Sequence, residues 1–387
     1  MKRDRRSFVR IASTSCAAII TGGLNSLRTI NNGIKFLSPI DGDLLNEIDG
    51  KVINGCLVTK VRVQASPGAK IKINNADAKF IDNTFVSDVN LKDYKNIIEV
   101  VDGSTGNSQS ITVFWLKNYV NRYRLSLDDN IWFLRDISNN SNKYKSIFEN
   151  PYLGFMKQTH DIYGTRVHIN IYYQTDGFNL SQMTTKYKSE WKDNADWLRL
   201  SFHALQNDPD YPYLNSGYDE LKRDCEKVNE QIRRFAGEEV MSKVTTLHWG
   251  VATVEGSRAL RDAGYIGQVS DFNIEDGVQT IAMYLDLNQT RHMNNRYLWR
   301  DNREGIIFSK VSIVINSYKV DEIVPFLEAL KKDSHKSAYM DLLIHEQYFY
   351  PFYKNYQPDF RQKVTTAIKW ASDKGYKPAF LSECIFS

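Results

Sequence analysis

A chain of 387 residues is long enough for two domains, or for one large domain with additions. Hydrophobic residues make up 42% and charged residues 25%, an ordinary balance for a soluble globular protein. The net charge of +4 is small, and no basic run interleaved with aromatics occurs beyond the N-terminus, which argues against a nucleic-acid partner. Tyrosine (22), phenylalanine (19) and tryptophan (7) are plentiful, and suit either packing or stacking on sugar rings in an open cleft.

Residues 1–33 differ from the rest. Met1 to Arg10 is basic, and Ile11 to Leu24 is apolar and small, too short to span a bilayer comfortably. A charged start before a short apolar segment predicts an export signal, with a linker from Asn25 to Gly33. Arg5-Arg6-Ser7-Phe8-Val9-Arg10 resembles the twin-arginine signal, which implies export to the periplasm, cell envelope or extracellular space. No transmembrane segment is expected beyond it. Cys16 lies in this segment, and Ser13-Thr14-Ser15 before it makes a poor lipidation signal. Cys56, Cys225 and Cys384 are far apart and odd in number, so they read as small hydrophobes rather than a disulfide or metal framework.

Residues 34–118 predict an all-β sandwich. Alternating runs such as Val58–Val63 and Lys70–Ile73 are separated by turn clusters at Pro39–Gly42, Ser66–Gly68 and Asp102–Ser104. The pattern resembles the immunoglobulin- or cadherin-like modules attached to secreted carbohydrate enzymes, which implies a spacer. Residues 119–387 alternate strand and helix. Strands are expected at Tyr123–Leu127, Val167–Tyr173, Trp197–Phe202, Thr245–Trp249, Ile306–Ile315, Met340–His345 and Pro378–Ser382. Helices are expected at Tyr218–Phe235, Val254–Ala263, Val320–Lys331 and Phe360–Lys374, with Gly375 as the last C-cap. This order predicts a parallel (β/α) barrel of seven or eight strands, with catalytic residues at the strand C-termini.

Arg124-Leu125-Ser126-Leu127-Asp128-Asp129-Asn130 runs a strand straight into two adjacent carboxylates. Where the chain turns, both acids can converge on one pocket, and their repulsion favours a bound cation or a shared proton. Three of the seven histidines also fall at expected strand ends: His203, His248 and His345. His160, His168, His292 and His335 do not. A lone strand-end histidine is more often structural, but three beside a paired acid point to a site.

Over about residues 120–385 the chain resembles the NodB-type polysaccharide deacetylases, of the wider glycoside hydrolase/deacetylase barrel superfamily. Ser126–Asn130 looks like that family's first motif, Ser201-Phe202-His203 like its second, Leu342–Glu346 like the late strand carrying a histidine, and Lys374–Glu383 like its closing helix–strand. The resemblance implies that Asp128 is the catalytic base, Asp129 a metal ligand and His345 the general acid. Two departures stand out. Asn207 occupies the position of the second motif's second histidine, and the third-motif arginine is missing from Thr246–Gly250, where His248 stands instead. His248 is therefore expected to complete a metal set with Asp129 and His203, suited to Zn²⁺ or to Co²⁺, Mn²⁺ or Ni²⁺.

The expected activity is hydrolysis of N- or O-acetyl groups on a polysaccharide or glycan. Trp249, Glu346, Tyr348 and Phe349 are expected to contact the sugar. Two alternatives remain open: a glycoside hydrolase using Asp128 with Glu346, and a non-catalytic glycan-binding envelope protein.

Overall fold

The computed structural model describes residues 33–386. The predicted export segment and all but the last residue of its linker lie outside them. The described chain is a mixed α/β structure, mostly antiparallel in its first part and mainly parallel in its second, where Leu298–Asp301 pairs antiparallel with Ile306–Lys310.

The first part holds two five-stranded sheets that share one core. Cys56–Gln64 shows why. Leu57, Thr59, Val61 and Val63 point inward while Lys60, Arg62 and Gln64 stay in water. They pack against Ile98 and Val100 of Lys95–Asp102 and against Ile111 and Val113 of Ser108–Trp115. All pairings here are antiparallel except Leu44–Leu45, which runs parallel to Phe114–Trp115. Three hairpins turn on residue pairs with positive φ: Asn54-Gly55, Asn74-Asn75 and Asp82-Asn83. Asn, Asp and Gly tolerate that conformation best.

The second part is built on parallel strands. The first, Arg122–Asn130, lies between the second, Val167–Tyr172, and the seventh, Tyr339–His345; the third, Leu198–Ala204, flanks the second. Another sheet joins the fourth, Val244–Thr246, the fifth, Gly267–Ser270, and the sixth, Ile306–Lys310. Just after the sixth strand, Ile313–Val314 pairs with the seventh, so this stretch touches both sheets. At the other gap, Ser242 N–H donates to the Leu200 carbonyl and Thr245 Oγ1 to the Phe202 carbonyl. Helices follow the strands, including Tyr218–Phe235, Val254–Asp262, Val320–Lys331 and Phe360–Asp373.

Four expectations change. The expected strand Ile306–Ile315 breaks after Lys310, and only Ile313–Val314 resumes pairing, with the other sheet. The fifth strand, Gly267–Ser270, has too few residues for its pattern to stand out. The fourth ends at Thr246, because the chain breaks into a tight turn at His248–Gly250. Pro378 closes a two-residue strand, and Leu381–Ile385 is helical, its apolar Leu381, Cys384 and Ile385 buried together. Cys225 is also buried, while Cys56 is half-buried. No helix among the described residues is long and apolar enough to cross a membrane.

The two parts are docked. Leu44, Phe114 and Leu116 share a core with Val244 and Tyr339, at the starts of the fourth and seventh strands. Arg296 makes a two-pronged ion pair with Asp49, at 2.8 and 3.0 Å. A methyl group on Gly42 would sit 1.8 Å from the Arg300 carbonyl oxygen, so only glycine permits this approach.

Candidate metal centre and cleft

The parallel register sets Asp128 directly beside His345, on adjacent strands at their C-terminal ends. The pairing with the second strand shifts between Leu127 and Asn130, and Asp129 has φ +63°. This local turn undoes the strict alternation of a strand, so that two consecutive carboxylates serve one site. Both are buried, at 3% and 1% exposure.

Asp129 meets two histidines. Its Oδ1 lies 3.1 Å from His203 Nε2 and 3.2 Å from His248 Nδ1, and those two nitrogens are 3.2 Å apart. The outer nitrogens are already engaged with acceptors. His203 Nδ1 donates to the Thr246 carbonyl, and His248 Nε2 donates to the Asn207 carbonyl at 3.0 Å. These bonds orient each ring so that its other nitrogen faces Asp129. Three donor atoms held about 2.1 Å from one ion in tetrahedral array stand roughly 3.4 Å apart, close to the spacing found. The residues therefore fit a metal ion. Tyr172 adds a hydroxyl, which bonds Asp129 Oδ1 and lies 3.0 Å from His248 Nδ1. Asn207 contributes its backbone to His248, and its side-chain oxygen accepts from Gln347 at 2.8 Å.

Asp128, His203, His248 and His345 line one cavity of about 560 Å³, with Trp249 on its wall. Trp249 is held at φ +64° and packs on Tyr211 with ring centres 4.4 Å apart. His345 Nδ1 lies 2.8 Å from Asn316 Oδ1. The same oxygen accepts from the His345 backbone N–H, so it is an acceptor and Nδ1 carries the hydrogen.

The other expected sugar contacts stand differently. Glu346 is fully buried. It accepts from the backbone N–H groups of Ile131, Trp132 and Phe133 at 2.7, 3.0 and 2.6 Å, so it caps the helix that follows the acid pair instead of reaching the cavity. Burial pushes its carboxyl up to about 7, against the pull of those donors. Phe349 packs among Tyr152, Tyr350 and Phe360, away from the cavity lining. Tyr348 is buried behind His345 and beside Tyr353.

Beneath the site runs a buried polar column. Arg124 grips Asp341 through Nε at 3.1 Å and Nη2 at 2.8 Å, and its Nη1 contacts His168 Nδ1. His168 Nε2 lies 2.8 Å from Ser201 Oγ, Ser201 is 2.6 Å from Asn170 Oδ1, and Asn170 Nδ2 donates to Asp128 Oδ1 at 2.7 Å. The donors can be assigned. Thr246 N–H also reaches Asn170 Oδ1, which marks that atom as the oxygen. Ser201 then donates to Asn170 and accepts from His168, whose other nitrogen accepts from Arg124. Burial, reinforced by Arg124, drives the His168 pKa well below its ordinary value, consistent with a neutral ring. Asp128 moves the other way. Burial pushes it up to about 7, with His203 pulling down and Asp129 pushing up.

Sequence reasoning passed over Asn170, Tyr172, Asn316 and this column. The signal was present in Val167-His168-Ile169-Asn170-Ile171-Tyr172, where polar and apolar residues alternate in a wholly buried strand. Such alternation places the polar set on one enclosed face.

No protein-family model and no curated protein matches the sequence. Among solved structures, the 4-alpha-glucanotransferase of Thermococcus litoralis is similar with a TM-score of 0.42 and 13% identity, over 68% of this chain and 40% of that one. Agd3, a carbohydrate deacetylase, is similar with a TM-score of 0.37 and 9% identity, over 81% of this chain and 62% of that one. A calcium-binding mutant of Bacteroides uniformis beta-glucuronidase 2 gives 0.30 and 10%, over 89% and 44%. The chain thus spans less than two thirds of each of these proteins. The similarities are low, and the chemistry of the site rests on its own geometry.

Proposed function

We propose that this chain is an exported, metal-dependent carbohydrate deacetylase, with a distorted (β/α) barrel carrying the chemistry and an immunoglobulin-like sandwich as spacer. One observation carries the reading: Asp129, His203 and His248 aim their donor atoms at one point, beside an acid and a histidine that share a cavity. When bound there, a divalent ion such as Zn²⁺ supplies Lewis acidity toward an acyl oxygen. Asp128, steadied by Asn170, takes a proton from water as its oxygen bonds to the acyl carbon. The carbon–nitrogen or carbon–oxygen bond then breaks. His345, oriented by Asn316, gives its Nε2 proton to the leaving amine or alkoxide.

Acetate release from acetylated glycans tests this. Asp128→Asn and His345→Ala are each expected to lose about 10²–10⁴-fold in kcat while the purified protein keeps its metal. A wild-type protein that binds no ion, and that added Zn²⁺ leaves unchanged, overturns the reading.

A glycoside hydrolase is the second reading. Glu346 does not support it, being occupied by the helix cap, but Asp271 and Glu275 line the same cavity as Asp128 and offer a carboxylate partner. New reducing ends without acetate, from the same glycans, would favour it.

A further inference from the structure

A second cavity, of about 390 Å³, adjoins the first. Asn316, Ser317 and Tyr318 line both, forming a saddle between them. The helices Val320–Lys331 and Phe360–Asp373 begin at its walls, so it opens on the strand-end face that carries Asp128 and His345.

Its chemistry is specific. Tyr356 is 39% exposed at the rim and Tyr318 is half-buried on the saddle, which offers aromatic surface to sugar rings. Lys319 and Lys363 are balanced by Glu322 and Asp359, so hydroxyl and amide groups find donors and acceptors while a polyanion finds no surplus of positive charge. The saddle is also tied to the proton donor. Asn316 holds His345 through its side chain, and its backbone carbonyl accepts from Gln357 Nε2 at 2.9 Å. Gln357 in turn is held by Lys363 Nζ at 2.7 Å.

We infer that this cavity is a further sugar subsite, and that the substrate is an uncharged oligo- or polysaccharide crossing the Asn316–Tyr318 saddle. This rests on the deacetylase reading for the reaction, but not for the binding. A glycan chain bound across the saddle places one ring beside His345 and a neighbouring ring against Tyr356.

The test compares acetylated hexasaccharides with the matching disaccharides, using N-acetylglucosamine, N-acetylgalactosamine and O-acetylated xylose, with an O-acetylated mannuronate hexamer as the anionic arm. Acetate release and equilibrium binding are measured separately, for wild type, Tyr356→Ala and Glu322→Ala. The expected result is a kcat/KM at least tenfold higher for at least one neutral hexamer than for its disaccharide. Tyr356→Ala should cut that ratio about three- to tenfold, the loss of one aromatic contact. Four results overturn the inference: a ratio near one, a ratio unchanged in both variants, a preference for the anionic hexamer, or no binding of any neutral hexamer. Hexamer binding that weakens in Tyr356→Ala, in a wild type that releases no acetate, rejects the reaction and supports the subsite. Acetate release without length dependence does the reverse.

Discussion

The two halves of this molecule bury different things. The core of the antiparallel sheets is built mainly from apolar residues such as Leu57, Val61, Ile98 and Val113, with Thr59 the inward polar side chain of its strand. The parallel half buries Arg124, Asp341, His168, Ser201, Asn170 and Asp128 just as deeply, at 0–3% exposure. An apolar core stabilises by removing hydrocarbon from water. A buried polar column is a weak source of stability, because desolvating its charges offsets much of their attraction. What it does fix is where each donor and acceptor points, as far as the Asn170 amide that donates to Asp128.

Breaking the metal set should give the largest effect. Asp129→Ala or His203→Ala is expected to remove the ion and to lower acetate release on the order of a thousandfold or more, checked by metal analysis and steady-state kinetics. Neither change touches the antiparallel core, so its folding should be unaffected.

Next come paired tests of the two cores. Arg124→Met leaves Asp341 buried without its partner and should cost about 3–5 kcal/mol in denaturant unfolding. Replacing both, as Arg124→Met with Asp341→Leu, should recover much of that loss. Leu57→Ala in the other half should cost a similar 2–5 kcal/mol by opening a cavity. The two differ in function: Leu57→Ala should keep kcat, whereas the Arg124/Asp341 double variant should lower it. Equal kcat in both would mean that the column supports the fold alone.

The smallest effect concerns pH. Glu346 is held at about 7 in the folded chain, above the ordinary glutamate value. Between roughly pH 4.5 and 7 the folded state therefore binds more protons than the unfolded one, and stability falls as pH rises through that window. The Glu346 contribution favours the folded state more at pH 5 than at pH 8, while His168, held neutral by burial, contributes in the opposite direction. Glu346→Gln should remove the first contribution from the Tm difference between the two pH values, and should lower stability by about 1–3 kcal/mol because an amide cannot accept from three backbone N–H groups.

How legible was this in the chain? The Val320–Lys331 helix was, because five apolar residues recur at helical spacing and nothing in the tertiary structure opposes them. So was Tyr218–Phe235, whose apolar Leu221, Cys225, Val228, Ile232 and Phe235 recur at helical spacing, although Asp224 and Asn229 share their buried face. Pro378–Ser382 misled, because a short apolar run carries no period that separates strand from helix. Glu346 misled for another reason. Its place beside His345 suggested a shared cavity, but neighbours on a chain end diverge once the chain turns, and the helix amides claimed the carboxylate.

The sequence by itself determined that two acids lie at a strand end, that His203 and His345 lie at others, and that an all-β part precedes one alternating strand and helix, because periodicity and residue chemistry are local properties. Only the tertiary structure decided which atoms meet. The left-handed turn at Asp129, the register of Asp128 against His345, and the two carbonyls that aim His203 and His248 all depend on elements far apart in the chain. Spacing along a strand says which face a residue takes, but the distance between faces is set by how the sheets pack.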